Sequence, residues 1–144
     1  MQNNKRPSFY KKVMIVDDTY VDRYIAERNI VKYGLAEEVI AQESASAALA
    51  YLKDLWEKKE ELPQLIFLDI RMPEMDGFGF LKEYEKFTDG IKRNCIIMML
   101  STSLNPEDHK RAADNPYVSK FLNKPLNAEQ LRLLIENEPH LKSA

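Results

Sequence analysis

Residues 65–77 have the sequence LIFLDIRMPEMDG, in which an apolar run ends at Asp69 and a turn containing proline and glycine follows. A short, continuously apolar run predicts a β-strand buried on both faces, as in a parallel sheet covered by helices. Two further apolar runs also end in charged residues, the first at Asp17 and Asp18 and the second at Lys124. Because the carboxyl ends of parallel strands meet at one edge of a sheet, these side chains are predicted to converge.

The rest of the chain alternates short β-rich runs with longer segments of helical period, which is the pattern of a βα protein. The second predicted strand is short and the fifth is interrupted by Ser119 and Lys120, so these two are expected to be the outermost strands of the sheet. We therefore predict an α/β, flavodoxin-like, doubly wound five-stranded parallel sheet in the order 2-1-3-4-5, with five helices. The predicted strands are residues 12–16, 38–41, 65–68, 95–100 and 118–122.

Apolar periodicity and capping residues predict the helices. In the first helix Val21, Tyr24 and Ile25 form one apolar face, and Gly34 is placed to end the helix in a left-handed cap. Trp56 lies at helical spacing from the leucines of the second helix, and we expect it to pack in the core. The remaining helices are expected at about residues 78–87, from Asn105 with Pro106 at the first helical position, and from a capping box of Asn127 and Gln130.

The length and charge of the chain limit its organisation. At 144 residues with 44% hydrophobic positions, it fits one compact domain. We expect a flexible N-terminal arm over residues 1–10, a folded domain over 11–138 and a C-terminal tail over 139–144. The net charge is −2 and the basic residues are scattered, so no direct binding of nucleic acid is expected. His109 and His140 lie in polar segments and are both expected to be exposed to solvent.

The apolar segments and the single cysteine indicate the cellular compartment of the protein. The N-terminal residues lack an apolar signal region and no apolar stretch approaches membrane-spanning length, so we expect no membrane insertion. The single cysteine, Cys95, has no partner for a disulfide and is expected to be a buried packing residue. These features favour a cytoplasmic protein.

Three carboxylates at one sheet edge predict a metal site. Asp17, Asp18 and Asp69 would repel one another, so they would bind protons or move apart unless a cation held them. We expect Mg²⁺, because it binds through few carboxylates and keeps positions for water and phosphate oxygens. The backbone carbonyl of Arg71 could supply a further oxygen ligand. Considered alone, Asp17 and Asp18 would also suit a solvated acidic loop.

Asp69 is the predicted nucleophile, whose carboxylate attacks a phosphoryl group in line and forms an acyl phosphate. Lys124 would offer a point charge to the phosphoryl oxygens, and the hydroxyl of Ser101 would donate to one of them. Taken singly, an aspartate or a serine after a strand can also be a turn or helix cap. The coincidence of these residues at matching strand ends favours the phosphoryl site.

Four motifs carry a resemblance to a known family: Asp17-Asp18 followed by Arg23, residues 68–77, Leu100-Ser101, and Lys124-Pro125. With these motifs, about residues 11–138 resemble the receiver domain of two-component response regulators, of the stand-alone, single-domain type. The resemblance implies that Asp69 accepts a phosphoryl group from a histidine kinase or a histidine phosphotransfer protein. It also implies a phosphoacceptor switch with Mg²⁺-dependent self-phosphorylation and slow autodephosphorylation, rather than an enzyme.

The resemblance further implies how the signal leaves the domain. Phe121 occupies the family's aromatic switch position, and a shift of Ser101 toward the phosphoryl group would free space for it. The fourth helix, fifth strand and fifth helix would then change as a surface for a downstream protein, which the sequence does not identify. Arg71 is expected to tune dephosphorylation, and Thr102, where the family usually has a smaller residue, is expected to slow access or hydrolysis. Because no output domain follows in this sequence, we expect docking onto another protein or relay of the phosphoryl group.

Three alternative functions would each require different sequence features. A haloacid-dehalogenase-like phosphohydrolase usually has a second aspartate two residues after its nucleophile, where this chain has Arg71. A flavodoxin-like cofactor binder should have a first loop rich in Ser, Thr and Gly, whereas Asp17 and Asp18 would repel a phosphate. A receiver-like scaffold that works without phosphorylation is disfavoured by the acidic residues and Lys124 but stays open.

Overall fold

A computed structural model describes residues 8–137 of the chain. The first seven residues of the predicted arm, His140, and the predicted tail of residues 139–144 lie outside the described residues. Within the described part, β1 begins at Tyr10, which is buried and donates its backbone N–H to the Leu35 carbonyl. The strand therefore starts two residues earlier than expected and includes one residue that the sequence placed in the arm.

The sheet has five parallel strands in the order β2-β1-β3-β4-β5, as predicted. The three central strands are almost fully buried, whereas β2 and β5 are partly exposed along their length, which confirms them as edges. Continuous burial explains the continuous apolar runs, because helices cover both faces of the sheet. The strands are β1 (Tyr10–Val16), β2 (Ala36–Gln42), β3 (Leu65–Leu68), β4 (Ile96–Ser101) and β5 (Val118–Asn123).

The described residues contain six α-helices, one more than predicted, of which five lie between strands and the last follows the fifth strand. The third helix ends at Tyr84, and the side chain of Thr88 then caps a separate short helix by accepting from the Ile91 backbone N–H. This helix was missed because its six residues are too few to show apolar periodicity. The helices are α1 (Tyr20–Lys32), α2 (Ala45–Asp54), α3 (Gly77–Tyr84), α4 (Asp89–Asn94), α5 (Pro106–Asp114) and α6 (Ala128–Asn137).

Helix ends follow the capping signals in the sequence. Gly34 adopts a φ of +79° just after α1, which confirms the predicted left-handed cap. Asn105 caps α5 by accepting from the Glu107 backbone N–H. Asn127 and Gln130 form the predicted capping box, because each side chain accepts from the backbone N–H of the other. None of the described helices is both long enough and apolar enough to span a membrane.

Two packing predictions were wrong. Ala26 and Ile30 form the buried face of α1, whereas Val21 and Tyr24 are 58% and 54% exposed. Apolar residues surround most of this helix, so periodicity alone could not decide which face meets the sheet. Trp56 is also 54% exposed, because α2 ends at Asp54 and the indole lies in the turn that follows.

Candidate functional site

Two buried carboxylates lie side by side where neighbouring strands end. Asp17 follows β1 and Asp69 follows β3, and the backbone N–H of Asp69 donates to the Val16 carbonyl at 2.9 Å. The ladder between these strands therefore continues up to the acids and fixes their separation. Asp18 completes the group from the exposed side, so that one oxygen of each of the three carboxylates lies within 4.8 Å of the others.

Local contacts orient Asp17. The Thr19 backbone N–H donates to its Oδ1 at 2.9 Å, and the Arg23 guanidinium donates to its carbonyl at 2.9 Å. The first turn of α1 therefore holds the acidic loop in place. Arg23, which the sequence singled out only as part of a motif, supports the backbone of this loop.

Lys124 reaches into the acidic group from the end of β5. Its Nζ lies 2.6 Å from Asp17 Oδ2 and 3.4 Å from Asp69 Oδ2, and its side chain is 10% exposed. The Lys124 backbone N–H donates to the Ser101 carbonyl at 3.0 Å, which holds the lysine beside β4. Burial alone would lower the pKa of this ammonium, but hydrogen bonds to Asp17 and Asp22 outweigh burial and raise it. Lys124 therefore stays charged at neutral pH.

Asp22 is a fourth carboxylate that the sequence analysis missed. It lies in the first turn of α1, and its Oδ2 accepts from Lys124 Nζ at 2.8 Å across 102 residues of sequence. Its position four residues after Asp18 could have drawn attention to it, but nothing in the spacing links it to Lys124. The lysine is thus closer to Asp17 and Asp22 than to Asp69.

The electrostatics of the site favour a bound cation. Burial, followed by the charge of Asp17, raises the pKa of Asp69 to about 6, and Lys124 offsets only part of this shift. The carboxylates therefore carry more negative charge than one ammonium neutralises. All the candidate ligand atoms are carboxylate oxygens, and Asp18 is exposed to solvent. The group therefore fits a hard divalent cation that keeps some coordination positions open. The carbonyl of Arg71 as a further ligand stays a prediction.

The raised pKa of Asp69 predicts a pH-dependent stability in the absence of metal. Its pKa of about 6 exceeds the ordinary 3.8, so the folded state binds the proton more tightly than the unfolded state. This contribution to stability is complete at low pH and decreases as pH rises from about 4 to about 6. Asp69→Asn, which stays neutral, should raise the free energy of unfolding at pH 7 by about 1–2 kcal/mol. Urea unfolding of both proteins in chelator across this pH range measures the difference, and parallel pH profiles would contradict it.

The two predicted switch residues lie on neighbouring strands. Ser101 ends β4, is buried, and accepts through its Oγ from the Ser103 backbone N–H at 3.1 Å. Phe121 lies on β5, half-buried, with its ring stacked on the His109 ring at a centroid distance of 4.0 Å. His109 is therefore partly buried, contrary to expectation, and its Nε2 lies 2.9 Å from the Ser103 carbonyl. Nothing in the sequence indicates this contact, because its partners belong to other elements.

The structure shows the surroundings of two further residues that the sequence analysis discussed, Thr102 and Cys95. Thr102 is exposed and lines a cavity of about 180 Å³ together with Asp22 and Lys124, so it borders the acidic group. Its expected effect on access or hydrolysis stays a prediction. Cys95 is buried, which confirms it as a packing residue, and burial raises the pKa of its thiol to about 12.

The comparisons with known proteins agree on one family. Residues 13–136 match the family model of the response regulator receiver domain. A two-component response regulator of Cytophaga hutchinsonii has a similar crystal structure, with a TM-score of 0.83 and 25% identity, covering 96% of this chain and 100% of that one. The probable methanogenesis regulatory protein FilR2 of Methanothrix harundinacea is 27% identical over 124 residues, which are 86% of this chain and 78% of FilR2.

A third relative was solved with a metal. The Mn²⁺-bound form of response regulator Rcp1 has a TM-score of 0.67 and 26% identity, covering 89% of this chain and 91% of that one. Three further curated relatives are much longer histidine kinases, of which this chain spans only 10% to 16%. The matched unit is therefore found both in short regulators and within longer proteins.

Proposed function

The chain belongs to the response regulator receiver domain family, and on this premise we propose that Asp69 accepts a phosphoryl group from a histidine kinase or a histidine phosphotransfer protein. Receiver domains are phosphoacceptor switches rather than classical enzymes. The observation that supports the proposal is the position of Asp69, buried beside Asp17 and Lys124 with the exposed Asp18 completing the acidic group. Asp17, Asp18, Asp69 and the Arg71 carbonyl would hold Mg²⁺ in the proposed site.

In the proposed transfer, one Asp69 carboxylate oxygen attacks phosphorus in line. An oxygen–phosphorus bond forms as the phosphorus–nitrogen bond to the donor histidine breaks, and the leaving imidazole nitrogen keeps the electron pair. Bound Mg²⁺ supplies charge neutralisation for the phosphoryl oxygens. Lys124 is close enough to turn from Asp17 and Asp22 toward a phosphoryl oxygen on Asp69, where its charge stabilises the product. The same pocket admits water for slow hydrolysis of the acyl phosphate.

The proposed output runs through Ser101 and the loop after it. A phosphoryl group on Asp69 adds negative charge that attracts the Ser101 hydroxyl, which would then give up its bond from the Ser103 backbone. Ser103 in turn contacts His109, whose ring covers Phe121. A shift of the loop would therefore reach α5 and β5, which we propose form the docking surface for a downstream protein together with α6.

We propose that the protein acts in the cytoplasm, because a free thiol such as that of Cys95 suits reducing conditions. We propose that the phosphoryl donor and the downstream target are both proteins, and the basic residues scattered along the sequence give no indication of direct nucleic-acid binding.

Beryllofluoride with Mg²⁺, a mimic of the phosphoryl group, tests capture and output together. In wild-type protein it should shift NMR signals across α5 and β5, and in Asp69→Asn it should shift none of them. Ser101→Ala should still bind the mimic but respond less, because a hydrogen bond to a charged acceptor contributes about 1.5–3 kcal/mol, or roughly tenfold or more in a two-state equilibrium. An Asp69→Asn protein that responds like wild type would overturn capture at Asp69. Equal responses of Ser101→Ala and wild type would remove Ser101 from the output.

A further inference from the structure

A third buried carboxylate lies outside the acidic group. Asp108 belongs to α5 and is 4% exposed. Its Oδ2 accepts from Arg71 Nη2 at 2.5 Å and from Ser103 Oγ at 2.7 Å. We call these three residues the Asp108 cluster. Because a buried carboxylate is costly without compensating partners, the position of α5 depends on these contacts.

The cluster joins three segments that surround the proposed phosphoryl site. Arg71 is two residues after Asp69, Ser103 is two residues after Ser101, and Asp108 lies on the helix of the proposed output surface. The neighbouring His109 extends the connection, since it contacts the Ser103 carbonyl and stacks on Phe121. The Asp108 cluster is thus a direct link between the site and α5.

Arg71 is the most exposed member of the cluster. Its side chain is 60% exposed while that of Asp108 is 6% exposed, so the guanidinium covers the carboxylate from the solvent side. An arginine in this position can exchange one anion for another without entering the core. A phosphoryl group on Asp69, two residues before Arg71 in the sequence, would bring roughly two negative charges and three acceptor oxygens to the same end of the sheet.

We propose that Asp108 is a positioning residue that binds the Arg71 guanidinium in the unphosphorylated state. When Asp69 is phosphorylated, the guanidinium leaves Asp108 and binds the phosphoryl group instead. This inference rests on the proposed function and adds a charge exchange to it. When Arg71 leaves and Ser103 moves with the loop, Asp108 is a buried carboxylate without its partners. Burial of such a charge is unfavourable, so α5 shifts until water reaches it. The exchange therefore couples phosphorylation to the output helix through Arg71, in addition to the loop shift that starts at the Ser101 hydroxyl.

A double-mutant cycle measured in two states tests the exchange. Arg71→Gln, Asp108→Asn and the double variant are unfolded with urea in Mg²⁺, with and without beryllofluoride. Without the mimic, the two substitutions should be non-additive by at least about fivefold in the folding equilibrium constant. With the mimic, they should be additive within about twofold, because the pair has separated. Lys110 and Asp114 form an exposed pair on the same helix, and their cycle should be unchanged by the mimic.

A conservative variant gives a second measurement if Asp108→Asn does not fold. Arg71→Lys keeps the charge, so it should leave α5 signals in their wild-type positions without the mimic, whereas Arg71→Gln should move them toward the beryllofluoride positions. Equal coupling in both states, or none in either, would refute the exchange while the wild-type response to beryllofluoride still stands. A wild-type protein that does not respond to beryllofluoride would refute the proposed function itself, and the exchange with it.

Discussion

Lys124→Ala should change Mg²⁺ binding and phosphoryl binding in opposite directions. The ammonium lies 2.6 Å from Asp17 Oδ2 and competes with a metal for that carboxylate, so its loss should strengthen Mg²⁺ binding by roughly threefold or more. The same change removes the cation that we propose contacts the phosphoryl oxygens. Beryllofluoride affinity in saturating Mg²⁺ should therefore fall by at least about tenfold. Calorimetric titrations of the metal and then of the mimic measure both effects.

A surface lysine provides the control for this substitution. Lys110 has a side chain that is 76% exposed, and Lys110→Ala should leave both affinities unchanged. If Lys124→Ala weakens Mg²⁺ binding, the lysine supports the metal site rather than competing with it. If beryllofluoride affinity is retained, Lys124 has no role in holding the phosphoryl group.

Gly77→Ala should lose both stability and metal binding. A Cβ at this position would lie 2.5 Å from the Asp69 carbonyl oxygen and 3.0 Å from the Ile70 Cα. Both contacts are to backbone, so the start of α3 or the end of β3 must move, and overpacking of this kind costs about 1–3 kcal/mol. Because Asp69 is part of the displaced segment, Mg²⁺ affinity should fall as well. Urea unfolding and calorimetry report the two effects.

The same helix contains a matched control. A Cβ at Gly79 would meet the Met75 Cγ at 2.8 Å, and its three nearest neighbours are all side-chain atoms. Gly79→Ala should therefore cost less than Gly77→Ala, because the Met75 side chain can rotate and alanine has the higher helix propensity. Equal losses in the two variants would show that close approach to the Asp69 backbone is not what requires glycine at residue 77.

The strand ends were predictable because local sequence determines them. Apolar runs that stop at a charged residue place Asp17, Asp69 and Lys124 at the sheet edge, once the strand order is known. Glycine and capping-box signals at Gly34 and Asn127 were similarly local. These features depend on backbone periods and on short-range hydrogen bonds, which the sequence shows directly.

The contacts that the sequence did not show join distant segments. Asp22 contacts Lys124 across 102 residues, and Arg71 contacts Asp108 across 37. Periodicity describes one element at a time, so it cannot assign a partner on another element or choose between two apolar faces. The exposed Tyr24 shows the second limit, since its helix packs through the smaller Ala26 instead.

Locating the phosphoryl group by mass spectrometry tests the central claim most directly. The protein is incubated with acetyl phosphate in Mg²⁺ or in chelator, and the acyl phosphate is identified by peptide mass after borohydride reduction. The account predicts a single modification at Asp69 that requires Mg²⁺ and is absent from Asp69→Asn, while the surface control Asp54→Asn is labelled like wild type. Modification at another residue, or equal labelling of Asp69→Asn, would contradict it.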